Sequence, residues 1–365
     1  MTALLEARNV SKVFTSGSKL FSKKKKITVA LENASFVIQG NQPSIVAIAG
    51  ESGSGKTTLS RLLLGLIQPT GGKILYKGQD LRQMDQGEWR KLRQEIQAIF
   101  QDPFAVYNPF YKVDHALKTP IESFRPDFSK AAAQDLIEQT LQSVGLRPEE
   151  TLGRYAHQLS GGQRQRIMVA RALLLNPSVI VADEPVSMVD ASLRATILES
   201  LLKVHQEFGI SLVYITHDLT TAYQLSQSIL MLYQGVMVEL GSVDLVIKDP
   251  LHPYTQLLVG SIPLPNPKRR WAEEVIQVEQ VTQPAGENKG CKFADRCPQV
   301  MPLCHDQPPP LYAPNGNRAV ACYLYRDAPT LAEDEILALY SPDRDGRESR
   351  HERTRAIKDE PGGNL

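Results

Sequence analysis

Residues Gly50-Glu51-Ser52-Gly53-Ser54-Gly55-Lys56-Thr57 set glycines, a lysine and a hydroxyl at the spacing G-x-x-x-x-G-K-[ST]. Glycines at these places let backbone N–H groups turn inward as an anion-binding nest. A helix starting near Lys56 adds the positive end of its dipole. Lys56 is then set to reach the outer phosphates of a nucleotide and the Thr57 hydroxyl to bind Mg²⁺. Ser52, Ser54 and Thr58 complete the candidate phosphate contacts. A second pair, Asp183 and Glu184, follows the apolar run Val179 to Ala182. Asp183 is a candidate Mg²⁺ ligand, directly or through water. Glu184 is the candidate base that orients and polarises an attacking water. A third segment, "LSGGQRQR" at 159–166, places Gly161, Gly162 and Gln163 behind Ser160. Such glycines expose a helix start to a phosphate. One phosphate site already exists in the chain, so this second one suggests a face that meets the nucleotide of another subunit.

These residues need particular elements beneath them. Ile45 to Ala49 reads as a short buried parallel strand. Leu59, Leu62, Leu63 and Leu66 follow at helical spacing. Val179 to Ala182 reads as another buried strand, delivering Asp183 and Glu184 at the carboxyl edge where open α/β sheets bind ligands. Ser160 is a plausible N-cap, and Ile167, Ala170 and Leu174 share one helical face up to Asn176-Pro177. Residues 1 to about 260 alternate strand-like runs with helical patterns, which points to βα units and a parallel sheet.

With these motifs in hand, the chain resembles the ATP-binding subunits of ABC transporters, whose signature is "LSGGQ". By that resemblance, Gln101 in "IFQDP" is the Q-loop residue, reaching Mg²⁺ and water and reporting on the permease. Asp190, closing "SMVD", corresponds to the D-loop aspartate, and His217 in "YITHD" to the switch histidine on the γ-phosphate. Phe14 corresponds to the aromatic that stacks on adenine, while the residue alone also reads as core packing. The D-loop departs from the family's more frequent Ala-Leu before the aspartate, reading Ser187-Met188-Val189-Asp190. The implied fold is an α/β P-loop NTPase core of ABC type with an antiparallel β subdomain and a helical subdomain. A small C-terminal Cys-rich loop domain completes it.

The resemblance covers about residues 4 to 262. Domain boundaries are expected at 1–262 for the ATPase, with its helical subdomain at about 102–160. A Pro/Cys-rich extension is expected at 263–330. A short helix-like segment and a charged disordered tail are expected at 331–365. The 41 basic and 40 acidic side chains of the 365 residues give a net charge of +1, so no global field recruits nucleic acid or an anionic membrane. No secretory signal is evident in "MTALLEARNVSKVF", and apolar runs such as "ALLLNPSVIVA" are too short and broken to span a bilayer. Lys23 to Lys26 read as a solvated hairpin tip, with contact to phosphates or lipid headgroups as the alternative.

The layout argues for an importer-type subunit docked on separate permease chains. Room between Gln101 and Ser160 suits a few helices, not the long coiled coil of DNA-repair relatives. The single motif set argues against translation-type relatives. "DPLHPYTQLLVGSIP" and the cysteine-bearing extension resemble the oligopeptide/dipeptide subfamily. That resemblance implies a second, homologous ATPase subunit, two permeases, an extracellular solute-binding protein, and a place on the cytoplasmic face of the membrane. Oligopeptides or dipeptides are the expected cargo, with oligosaccharides or nickel chelates as alternatives. A soluble regulatory ATPase is the alternative of another class.

Every cysteine, Cys291, Cys297, Cys304 and Cys322, lies in the extension. A reducing compartment disfavours disulfides. Gaps of five, six and seventeen residues depart from paired zinc knuckles, and irregular spacing suits a cluster held by loops. The subfamily resemblance also points to [4Fe–4S], with zinc or four unligated thiols as the other readings. His305 is a spare candidate ligand or a surface histidine.

Overall fold

The computed structural model describes residues 3–16, 26–102, 107–262 and 289–340. Lys23 to Lys25, most of the Pro-rich stretch after Ile262 and the charged tail from 341 lie outside the described residues.

Two sheets organise the chain. An antiparallel sheet has the order β2-β1-β4-β5. It is built from β1 (Ala3–Ser16), β2 (Lys26–Gln39), β4 (Gly71–Tyr76) and β5 (Gln79–Asp80). The larger sheet has the order β11-β10-β9-β3-β8-β7-β6. Its parallel centre comprises β6 (Ile96–Ile99), β7 (Val179–Asp183), β8 (Ser211–Thr216), β3 (Ile45–Ala49) and β9 (Ser228–Tyr233). Two antiparallel strands, β10 (Val236–Ser242) and β11 (Arg318–Val320), extend its edge.

Alternation along the central strands divides the core. Val46 and Ile48 of β3, with Val181 and Val213, face the helix Lys56–Leu63 and the antiparallel sheet. Ile45, with Ile180, Ala182, Leu212 and Tyr214, faces the helices Val113–Phe124, Lys130–Ser143 and Gly161–Leu173. A strand covered on both faces must be apolar throughout, which is why these runs read as continuous hydrophobic segments. The strand Ile45–Ala49 runs over the span its sequence suggests. The following helix ends at Leu63, so Leu66 falls beyond it and is exposed, contrary to its place in the apolar spacing.

The extension does not stand apart from this core. β11 pairs with β10, matching Glu239 to Val320 and Gly241 to Arg318. Farther on, the helix Glu333–Ala338 and the residues after it pack against β2. Tyr340 is buried edge-on to Phe36, with ring centroids 5.1 Å apart, and its hydroxyl donates to the Ser35 carbonyl at 2.9 Å. This short helix lies within the N-terminal core.

The expected four-thiolate cluster, iron–sulfur or zinc, is not upheld. Among the described residues no three His, Cys, Asp or Glu side chains converge as a metal-ligand set. None of the four cysteines forms a disulfide among the described residues. Cys304 and Cys322 are buried with Leu251, Ala294, Tyr312 and Val320, while Cys291 and Cys297 pack against the aromatic cluster of Tyr254 and Phe293. Burial pushes the thiols of Cys291 and Cys297 up, and that of Cys322 to about 12. Sequence spacing alone did not reveal that these sulfurs serve as small apolar side chains filling a loop-rich core.

A buried anchor ties the chain after β10 back to that strand. Glu239 of β10, fully buried, accepts from the backbone N–H groups of Leu251 and His252, each at 3.0 Å. His252 in turn caps the helix Pro253–Gly260, its Nδ1 accepting from the Tyr254 N–H at 3.0 Å. Burial lowers the His252 pKa to about 3, so it folds as neutral imidazole. Above the unfolded value of about 6.5 both states are neutral; below it the unfolded chain binds the extra proton. Stability should fall by about 1.4 kcal/mol per pH unit as pH drops below that value, levelling near the folded pKa. Denaturant titrations from pH 7 to pH 5 should show this slope in the parent and a flatter one in His252→Asn.

Candidate active site

The glycine loop joins β3 to the helix Lys56–Leu63, with Gly55 as the left-handed N-cap at φ 104°. Gly50, at φ 148°, allows no side chain, because a Cβ there would sit 2.1 Å from the Leu232 carbonyl oxygen. Lys56 is buried, and its ammonium donates to the carbonyls of Gly50 and Glu51 at 2.7 and 2.8 Å. Burial lowers its pKa, opposed by the nearby carboxylates of Glu184, Asp183 and Glu51. A lysine so held closes the loop on itself and keeps a third N–H available toward a phosphate. Ser54 is buried with its hydroxyl unpartnered, whereas Ser52 and Thr57 are exposed and Thr58 half-buried.

Asp183 ends β7, directly beside β8. It is buried, with one carboxylate oxygen lacking any hydrogen-bond partner. Burial raises its pKa, and the neighbouring Glu184 charge adds to the rise, while Ser60, Lys56 and Arg61 oppose it. A buried, orphaned carboxylate oxygen is costly unless a cation or donor meets it. Together with the Thr57 hydroxyl, that donor set fits Mg²⁺, a hard cation that takes oxygen ligands.

Glu184 occupies an unusual backbone position, φ 48°, which few residues with a side chain adopt. Its N–H donates to the Ile215 carbonyl at 2.9 Å, and its own carbonyl accepts from Ser187 N–H and Oγ at 3.2 and 3.0 Å. The side chain therefore turns toward two other candidate residues. Gln101 Nε2 donates to Glu184 Oε2 at 3.0 Å. His217 Nδ1 lies 3.2 Å from Glu184 Oε1. Gln101 follows β6, Glu184 follows β7 and His217 follows β8, so three adjacent parallel strands deliver three side chains to one carboxylate. A carboxylate fixed between an amide and an imidazole has the means to accept a proton from water and pass charge to a histidine.

Signature residues form a separate, self-contained turn. Ser160 Oγ accepts from the Gln163 N–H at 3.2 Å, and Gln163 Oε1 accepts from the Ser160 N–H at 2.9 Å, a capping box that starts the helix Gly161–Leu173. Gly162 packs on Leu193, where a Cβ would come within 2.9 Å of its side chain, while Gly161 faces open space. Asp190 is exposed and is the N-cap of the helix Ala191–Phe208 without a side-chain cap bond. Phe14 is 42% exposed on β1, under the Lys12 ammonium at 5.2 Å. An exposed ring is available for stacking, unlike the core reading of this residue.

Comparison with known proteins shows the family. The ABC transporter family profile matches residues 31–187, and the profile for the C-terminal region of oligopeptide/dipeptide transporters matches 238–304. The oligopeptide transport ATP-binding protein AppF of Bacillus subtilis is 38% identical over 324 residues, covering 88% of this chain and 97% of AppF. The chain belongs to the ATP-binding subunits of ABC transporters. The oligopeptide transport ATP-binding protein OppF of Salmonella typhimurium is 39% identical over 278 residues, covering 76% of this chain and 83% of OppF. Among solved structures, the cassette MJ0796, a dimer bound to ADP and Pi, aligns with a TM-score of 0.57 at 28% identity. That alignment covers 66% of this chain and 98% of the cassette. As a member of the ABC family, the chain is a transport-coupled ATPase using ATP and Mg²⁺. No helix among the described residues is long and apolar enough to cross a membrane.

Sequence motifs left out one contact. Arg296, from the cysteine-bearing segment, grips Glu51 of the glycine loop with two bonds of 3.0 Å each. Their separation of 245 positions in sequence hides the pair from any local pattern. Gly50→Ala should place its methyl against the Leu232 carbonyl and cost about 2–3 kcal/mol of stability. Denaturant unfolding would measure it, and nucleotide affinity should fall alongside.

Proposed function

We propose that this chain is the ATP-hydrolysing motor of an importer for oligopeptides or dipeptides. The observation that carries the reading is the meeting of Gln101 and His217 on the Glu184 carboxylate. ATP lies with its phosphates along Gly50 to Thr58, and Lys56 contacts the outer ones. Phe14 stacks on the adenine. Thr57, Asp183 and Gln101 hold Mg²⁺, which neutralises phosphate charge when bound. Glu184 orients the attacking water and takes its proton, and His217 contacts the γ-phosphate.

Two such chains, of which the second is a different homologue, pair head to tail. In that pair Ser160 to Gln163 and Asp190 of one protomer cap the nucleotide of the other. The open space beside Gly161 and the exposure of Asp190 support a role toward a partner. Closure moves two permease subunits, to which this chain docks at the cytoplasmic face. An extracellular binding protein delivers the peptide. Peptide as cargo is supported by the matching C-terminal region and by the names of AppF and OppF.

Glu184→Gln keeps the size and hydrogen-bonding reach of the side chain but removes the base. In the assembled transporter it should lower steady-state hydrolysis on the order of 10²–10⁴-fold while ATP still binds. Parental turnover in that variant, measured by phosphate release, would remove Glu184 from the role of base.

A further inference from the structure

Glu51 stands inside the glycine loop and is fixed at three points. Its carbonyl accepts from the Lys56 ammonium at 2.8 Å. Its N–H donates to the Tyr254 hydroxyl at 2.8 Å. Its carboxylate receives Arg296 end-on, Nη1 and Nη2 each donating to one of its oxygens at 3.0 Å. Two of these three contacts come from the segment beyond β10, outside the motifs of the nucleotide site.

Arg296 and Tyr254 are themselves held. The Arg296 guanidinium lies over the rings of Tyr233 and Phe293, 5.7 and 5.5 Å from their centroids. Tyr233, Tyr254 and Phe293 pack on one another with centroids 4.6 to 5.6 Å apart. Tyr254 is fully buried in the helix that His252 caps, and the Glu239 carboxylate holds the start of that turn. Arg318 of β11, also buried, ties Asp249 just before it with a bond of 2.8 Å. The extension thus reaches the phosphate loop through a continuous packed path. A bidentate arginine fork fixes direction as well as distance, which a lone ammonium would not.

We infer that Arg296 is a positioning residue for ATP: with Tyr254 it holds Glu51, so that the Glu51 carbonyl keeps the Lys56 ammonium in place. This rests on the reading of Gly50 to Thr58 as the ATP phosphate loop. Without the fork, the loop samples conformations in which Lys56 and the inward N–H groups are misdirected, and ATP affinity drops by the fraction still competent. Chemistry after ATP has bound should change little, because Glu184, Gln101 and His217 are carried on other strands. The pair is 37% exposed on each side, so salt should weaken its influence.

The test uses the full chain for ATP affinity and the assembled transporter for turnover. Arg296→Ala should raise the Kd and KM for Mg-ATP about five- to tenfold with kcat within about twofold, since only the binding-competent fraction changes. Arg296→Lys should recover part of the loss. Glu51→Gln should reproduce it, and the double variant should be no weaker than either single one, because both remove the same contact. In about 0.5 M salt the gap between parent and Arg296→Ala should narrow. Glu51→Gln leaves the cysteine segment untouched and carries the test if Arg296→Ala does not fold. Unchanged ATP affinity in Arg296→Ala and Glu51→Gln, with only a lower melting temperature, would make the fork purely structural and overturn the inference. Lys56→Ala serves as the control: if it leaves ATP affinity unchanged, the phosphate-loop reading falls first, and the inference with it.

Discussion

The site depends on one backbone position, Glu184 at φ 48° just past the end of β7. A glutamate held in the left-handed region stores strain of about 1–3 kcal/mol, which the surroundings must offset. They do so through the extended ladder bond to Ile215, the two contacts from Ser187 and the continuous burial of β7 and β8. In an ordinary extended continuation the side chain would alternate to the opposite face of the sheet from Asp183. The turn instead sends the Glu184 carboxylate between Gln101 and His217, while Asp183 stays buried beside Lys56. Two adjacent carboxylates thus receive different environments, one suited to a cation and one to a proton.

That arrangement explains why the sheet must be parallel at its centre. Parallel strands bring successive C-terminal ends to one edge, so residues far apart in sequence meet there. Gln101 and Glu184, 83 positions apart, need only the neighbouring order of β6 and β7 to come within 3.0 Å. The alternating core on either face of β3 keeps this edge rigid, and the glycine loop is fastened to it from the other side by Tyr254 and Arg296. The extension stabilises the same sheet that carries the chemistry, through β11 and the helix Glu333–Ala338.

Much of this was legible in the sequence where the signal is local. The strand bounds at Ile45–Ala49, the cap at Ser160 and the helix behind it follow from burial on two faces and from capping chemistry, both written in adjacent residues. Leu66 failed because helical spacing does not say where a helix stops, and this one gives way to a turn with Gly65 at φ 66°. The cysteines failed for a different reason. Sulfur counts suggest ligation, but in the folded extension the cysteines lie among apolar neighbours, and no metal-ligand set forms among the described residues. Arg296 and Tyr340 carried no local signal at all, since their partners Glu51 and Phe36 belong to the opposite end of the chain.

We propose that His217, besides its contact with the γ-phosphate, orients the Glu184 carboxylate it shares with Gln101, and that this orienting role dominates its effect on hydrolysis. A double-variant cycle measures this directly, with single-turnover hydrolysis in the assembled transporter for Glu184→Gln, His217→Ala and the pair. Residues that act as a unit are non-additive, so the double variant should be no more than about threefold slower than Glu184→Gln alone. If the two losses multiply in full, His217 works independently of Glu184 and the account of a shared carboxylate is contradicted.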